Sequence, residues 1–284
     1  MVLSKPGQVE GFEWTLRWKD NMVLEDIGNW ASAEVRTIRV TEGYTGSHVE
    51  LRVREFVPQD GDRVERSWVT AGGERRSVRI PPFALVDLDA AKVAYDTYIR
   101  KGLGECFKRL LGPGEKLLWR TYRLAFQLAR DESVAPKERE LLASTLQLWM
   151  SIRLTTKSFE IVGDDTLGMP SDIMGESNAQ IPLPPVMGAQ IDSILIHQIL
   201  SKLRHNTLEN LQKLTTENKQ KTWLTTYLVT FILLHNTALL MKHDAGYARK
   251  HGMKVRGIPL PLPLTGRLHV PAGPRRQAST RLTD

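Results

Sequence analysis

The chain has 284 residues, 41% of them hydrophobic and 25% charged, an ordinary globular balance with room for one large domain or two small ones. The single cysteine, Cys106, excludes an internal disulfide and any cysteine-cluster metal site, and fits a reduced compartment. The net charge of +7 belongs to the end of the chain: Lys242–Asp284 holds nine Lys/Arg against two Asp/Glu, so the preceding 241 residues are balanced and are not a basic nucleic-acid-binding surface by composition.

Residues 1–33 form a mixed N-terminal segment. The start, Met1 to Gly7, has no apolar core of a secretory signal. Trp14, Trp18 and Trp30 sit among charges with no basic patch around them, which favours packing at the edge of a core over base stacking. From Glu34 the period becomes two. Val35 to Val40 and Val49 to Arg54 alternate about a Gly43-Tyr44-Thr45-Gly46 turn, a hairpin pattern. Gln59-Asp60-Gly61-Asp62 and Gly72-Gly73 mark further turns, with strands expected over Val64–Val69 and Ser77–Ile80 and a stop at Pro81-Pro82. The reading for 34–80 is one antiparallel meander.

After Asp87 the period becomes helical. Asp89 is the expected N-cap of a helix over Ala90–Leu111, stopped by Gly112-Pro113, with Gly102 and Gly104 as its weak points. Cys106 falls near its apolar side and reads as an inert buried thiol. Glu115–Ala129 follows with Leu118, Tyr122, Ala125 and Ala129 on one face. Pro136 opens a third helix carrying Leu141, Thr145, Leu148, Trp149 and Ile152. Residues 156–187 carry turn chemistry and read as a long loop. Its Asp164-Asp165 pair lacks further oxygen ligands at fixed spacing and reads as solvated. Helices resume at Gly188, with Asn218-Lys219-Gln220 as a turn.

Thr222 to Met241 is twenty residues without a charge, enough to span a bilayer. Thr222, Thr226, Thr230 and Thr237 on one side, with His235 and Asn236, make it a poor lipid-facing helix. With Leu224, Leu228, Phe231, Leu234 and Ala238 as its apolar stripe, it reads as the buried central helix. Tyr247–Met253 extends it, with Gly252 as its cap, and 255–284 is a basic, proline-rich tail that reads as disordered.

No dinucleotide-binding or P-loop glycine pattern occurs, and no nucleophile elbow. The histidine pairs His197/His205, His235/His243 and His243/His251 are eight apart, not the four that a zinc helix uses. No catalytic, cofactor-binding or metal-ligating residue is assigned.

The phrases EVRTIRVTEGYTGSHVELRVREFVPQDGD, KLLWRTYRLAFQLA, LLASTLQLWMSIRLTTKSFEIVGDDTLGM, IPLPPVMGAQID and KQKTWLTTYLVTFILLHNTALLMKHDAGYARKHGMK resemble a group of large fungal transcription factors. There a zinc binuclear cluster of six cysteines precedes a long, mainly helical regulatory region, and the likeness from about Gly11 to about Lys254 is to that region. The resemblance implies transcription regulation in the nucleus, with the cytoplasm as the alternative compartment, through protein partners such as the transcription machinery or a second copy. DNA contact is then indirect or weak, and no membrane contact is expected. One cysteine cannot build the family's cluster, so its zinc and its major-groove contact do not carry over. The tail departs from the helical sequence that continues in the family, as in a truncated or short relative.

The expectation is therefore a mainly α protein with a small N-terminal antiparallel meander. Its parts are a segment 1–33, a regulatory domain 34–254 (strands 34–80, helices 89–254) and a tail 255–284. It is read as no enzyme and as carrying no cofactor. The rival readings are a membrane-associated helical protein anchored by 222–241 and a helical enzyme with a polar pocket near His235 and Asn236.

Overall fold

The computed structural model describes residues 27–59, 64–69, 73–111, 116–171, 173 and 181–250. The readings of Trp14, Trp18, Gly112-Pro113, Gly252, the turn around Asp60, part of the stretch 156–187 and the tail lie outside these residues. The chain is mainly helical with an antiparallel sheet near its N-terminus, as the sequence predicts.

β1 (Arg36–Thr41) and β2 (Val49–Glu55) pair with Ile38 opposite Leu51 and Val40 opposite Val49. Every second residue points inward: Ile38, Val40, Val49, Leu51 and Val53 are buried while Arg39, Glu50 and Arg52 face solvent. Gly43 takes a φ of 73° in the connecting turn, a conformation that favours glycine.

The strands expected over 34–80 do not all join one sheet. β3 (Glu65–Val69) and β4 (Arg75–Arg79) form a separate two-stranded ribbon, and the main sheet is extended by three short strands instead, in the order β5-β2-β1-β6-β7. β4 is exposed except at Val78, which is partly buried against the core. β5 (Phe83–Leu85) is buried at all three positions and lies beside β2. The stretch 156–187, read as a loop, supplies β6 (Glu160–Val162) beside β1 and β7 (Ile181–Pro182) at the sheet edge. Strands of two or three residues are too short to display a period, and Pro182 fits there because an edge strand needs no second set of donors.

α1 (Leu88–Leu110) covers the sheet. Its cap is Asp87, whose carboxylate accepts from Ala90 N at 2.8 Å. Asp89, the expected cap, lies in the first turn, where its charge favours the helix dipole. The helix continues through Gly102 and Gly104. A Cβ at Gly102 would lie 2.9 Å from both Met150 Cε and Thr45 Cγ2, so the missing side chain lets α1 approach its neighbours closely.

α2 (Lys116–Leu128) and α3 (Pro136–Leu154) follow, with Pro136 in the first turn of α3 as expected. α4 (Pro185–Ser193) begins at a second such proline, three residues before Gly188. It runs without a break through a π-helical segment, Ile194–Leu200, into α5 (Ser201–Glu217). Asn218, at φ 42°, ends α5. A 3₁₀ turn, Gln220–Thr222, then leads into α6 (Trp223–Lys250).

The central helix is α3, not α6. α3 packs against α1, α2, α5, α6 and the π segment, and Leu142, Thr145, Trp149, Met150 and Leu154 are wholly buried. Its buried hydroxyls are satisfied within the helix: Thr145 donates to the Leu141 carbonyl at 2.7 Å and Ser151 to the Gln147 carbonyl at 2.9 Å. Only 28% of the most apolar window of α6 is buried.

Candidate interaction surface

α6 is held to the body by one face. Thr222, Thr225, Leu228, Val229, Ile232 and Asn236 are buried, and α6 packs chiefly on α3, with α2 and α5 at its sides. Two polar links set its position. Thr225 donates its hydroxyl to Glu138 at the start of α3. The phenol of Tyr122 on α2 meets Nδ1 of His235 at 2.8 Å, with the two rings edge to face. Burial pushes the Tyr122 phenol well above its ordinary pKa, which keeps it neutral and available for this bond. Both nitrogen and oxygen of the Asn236 amide are buried without a hydrogen-bond partner.

The outer face of α6 runs the other way from the predicted stripe. Leu228 is buried as expected, Phe231 is half-buried, and Leu234 is 65% exposed. Trp223 is 62% exposed and Tyr227 is 47% exposed. The rings of Trp223, Tyr227 and Phe231 climb the outside at centroid separations of 6.3 and 6.1 Å. Thr230, Thr237 and Ala238 complete this surface. The threonine hydroxyls of α6 are partly used up locally: Thr226 donates to the Thr222 carbonyl at 3.1 Å and Thr237 to the Leu233 carbonyl at 3.0 Å. The result is an apolar ridge with little polarity of its own, of the kind that marks an interaction site. Its spacing is legible in the sequence. Whether it faces in or out is set by the distant residues of α3.

The other residues singled out by sequence have ordinary places. Cys106 is buried, and burial raises its thiol to about 12, out of the reactive range. Asp165 forms an ion pair with Arg36 across β1, with Nε to Oδ2 at 3.0 Å, so half of the acidic pair is structural rather than solvated. His197, His205 and His243 are exposed. Trp30 is half-buried beside Phe56, Ala84 and Val186, with Arg54 over its ring at 5.1 Å. Among the described residues no three His, Cys, Asp or Glu side chains gather as metal ligands. Two shallow clefts, one on α1 around Asp96 and Arg100 and one between α1 and α2 around Phe107 and Trp119, include neither His235 nor Asn236 in their walls.

Sequence reasoning missed a buried polar cluster beneath the sheet. Glu42, at the end of β1, is wholly buried and accepts from the Tyr98 phenol at 2.7 and 2.9 Å, and Thr45 lies 2.7 Å from the same phenol. Burial raises the Glu42 carboxyl above its usual range against the lowering effect of that phenol. The cluster ties the β1–β2 turn to α1. No periodic pattern marks it, because its members come from the β1–β2 turn and from α1, more than fifty positions apart.

A family model described as KpeA transcription factor matches residues 5–259 of this chain. No curated protein and no solved structure matches it.

Proposed function

The chain belongs to the KpeA transcription factor family, and from that premise we propose that it regulates transcription in the nucleus by protein contacts. The finer reading is a regulatory region of the kind that accompanies a zinc binuclear cluster in fungal transcription factors. The cluster itself needs six cysteines where this sequence has one, so this chain is read as carrying neither the zinc nor the groove-reading element. The balanced charge of residues 1–241 supports weak, indirect DNA contact, since few phosphates would be neutralised.

The observation that carries the reading is the outer face of α6, a charge-free ridge in a helix whose other side is fixed to the body. A catalytic role finds less support, because the described clefts are shallow and gather no acid–base constellation. Membrane anchoring also finds less support. α6 is long and apolar enough to cross a bilayer, but Thr225–Glu138 and Tyr122–His235 fasten it to α3 and α2.

The test is to tether the full chain to a heterologous DNA-binding domain upstream of a reporter, and to measure binding of the untethered chain to genomic DNA fragments over a salt series. The reading expects a change in reporter output from the tethered chain and a shallow, sequence-indifferent salt dependence from the free one. A silent tethered chain, or a steep salt slope with a preferred site, would reject it.

A further inference from the structure

We propose that the cationic outer face of α2, together with the aromatic cleft between α1 and α2 beside it, docks an acidic amphipathic helix of a partner protein. This adds a second surface to that of α6, and it rests on the reading that the chain works through protein contacts.

α2 carries three cations, Lys116, Arg120 and Arg123, and no acid. Gln127, and Arg130 in the turn that closes the helix, continue them at alternating steps of four and three, and all five are exposed. That spacing keeps them in one row along the helix. At about 1.5 Å per residue the row runs for about 21 Å. The buried residues Thr121, Tyr122 and Ala125 lie on the opposite side, so the row is not what holds α2 to the body.

Elsewhere surface cations are matched locally: Lys92 pairs with Asp96 and Lys213 with Glu209, each one turn away. Among the described residues no ion pair involves Lys116, Arg120, Arg123 or Arg130. The neighbouring acids are committed to other groups. Glu105 of α1 accepts from Gly46 N at 2.6 Å. Asp131 accepts from Ser133 N at 2.9 Å and from its hydroxyl at 2.6 Å. A row of like charges repels itself, and an acidic partner relieves that repulsion.

The cleft has a volume of about 480 Å³, and Lys108, Arg123 and Arg130 stand in its walls. Its aromatic lining is Phe107 of α1 stacked on Trp119 at 4.3 Å, with Phe126 5.0 Å from Phe107. The row supplies charge and the cleft an apolar slot along its edge. One helix meets both when its acids recur at i, i+4 and i+7 and its apolar residues occupy the adjoining edge. The cleft is shallow, which suits a segment lying across it better than an enclosed small molecule. The rings also favour a peptide over a nucleic acid. Phe107 is stacked with both Trp119 and Tyr122, and Arg130 stands over Phe126 at 6.0 Å, so ring faces on which a base would stack are already taken.

The experiment uses the full chain and a fluorescein-labelled synthetic helical peptide, with glutamates at alternating steps of four and three and leucines along the adjoining edge. Fluorescence anisotropy should show binding that weakens about tenfold in the double variant Arg120→Glu/Arg123→Glu. Gly104 lines the cleft, and nothing lies within 4 Å of a carbon added to it. Gly104→Leu therefore fills the slot without touching the charges, and it should weaken binding by a similar factor with an unchanged circular dichroism spectrum. The same peptide with alanine for leucine should also bind more weakly. No binding of the leucine peptide overturns the proposal. So does binding that the alanine peptide and Gly104→Leu both retain in full, which would be general charge attraction. Tighter binding of an oligodeoxythymidylate of equal charge, lost in the charge-reversed variant, would assign the face to nucleic acid and equally overturn it. If the peptide does not bind while the tethered chain still drives the reporter, the docking face is wrong and the regulatory reading stands. If it binds while the tethered chain is silent, the docking face stands and the regulatory reading falls.

Discussion

Tyr122 and His235, 113 positions apart in sequence, are joined phenol to imidazole at 2.8 Å, and the Trp149 ring of α3 lies 5.3 Å from the Tyr122 ring. One fully buried ring thus touches both the central helix and the helix that carries the exposed ridge. The bond and the ring make separable contributions. Tyr122→Phe keeps the packing and leaves a half-buried imidazole that water can reach, so the expected loss is about 1 kcal/mol. Tyr122→Ala opens a cavity beside Trp149, at a cost of about 3–5 kcal/mol. Urea unfolding of the two variants measures the difference, and equal losses would mean that the hydrogen bond, rather than the ring, fixes α6.

Gly102 and Gly104 lie on the same helix and should respond with opposite signs. Alanine at either raises helix propensity by about 1 kcal/mol. At Gly104 nothing lies within 4 Å of the added carbon, so Gly104→Ala should stabilise. At Gly102 the added carbon meets Met150 Cε and Thr45 Cγ2 at 2.9 Å. The methionine end can move, but Thr45 is held by the Tyr98 phenol at 2.7 Å. Overpacking costs about 1–3 kcal/mol, so Gly102→Ala should destabilise on balance. Melting temperatures moving in the same direction would contradict the close approach of α1 to the β1–β2 turn.

Asp192 at the end of α4 predicts a pH effect. Burial alone raises its carboxyl to about 7, and its charge is felt by the Tyr95 phenol, which is buried and unpaired. The folded value lies above the unfolded one, about 3.9, so the folded state binds the proton more tightly. This contribution to stability is fully present below the unfolded value and is lost as pH rises through the folded value. Stability should therefore decline between about pH 4 and about pH 7. Asp192→Asn should flatten that decline and raise stability at neutral pH. Glu42, also raised by burial, adds a smaller slope of the same sign. A variant as pH-dependent as the wild type would show that Asp192 is solvated.

Local chemistry made much of this legible in advance. The alternation of β1 and β2, Pro136 at the start of α3 and Asn218 at the end of α5 are each set by a few neighbouring residues, and each lies where the sequence predicts it. What was not legible depends on distant partners. β6 forms because Ile161 lies opposite Val40, 121 positions away. α3 holds the centre although Lys137, Glu138, Arg139 and Glu140 open it, because those charges gather in its first turns and leave Leu141–Ile152 uncharged. α6 has the longer uncharged run, which misdirected the search for the core. A helix apolar all round does not say which side a neighbour will cover. The ridge of the candidate site was therefore visible as spacing and invisible as surface.

The reversed facing of α6 gives the last prediction. The sequence alone places Phe231 in the core, where Phe231→Ala would cost about 3–5 kcal/mol. In the structure Phe231 is half-buried, while its neighbour Ile232 is wholly buried against α3. Ile232→Ala should thus be the costlier change, at about 2–5 kcal/mol. Phe231→Ala should cost less despite removing more atoms, since part of its surface is already in water. Thr226→Val supplies the small reference, because the hydroxyl bonded to the Thr222 carbonyl at 3.1 Å is worth about 1 kcal/mol. The measurement is urea unfolding of the three variants. A Phe231→Ala loss exceeding that of Ile232→Ala would return Phe231 to the core, and the outward face of α6 would have to be abandoned.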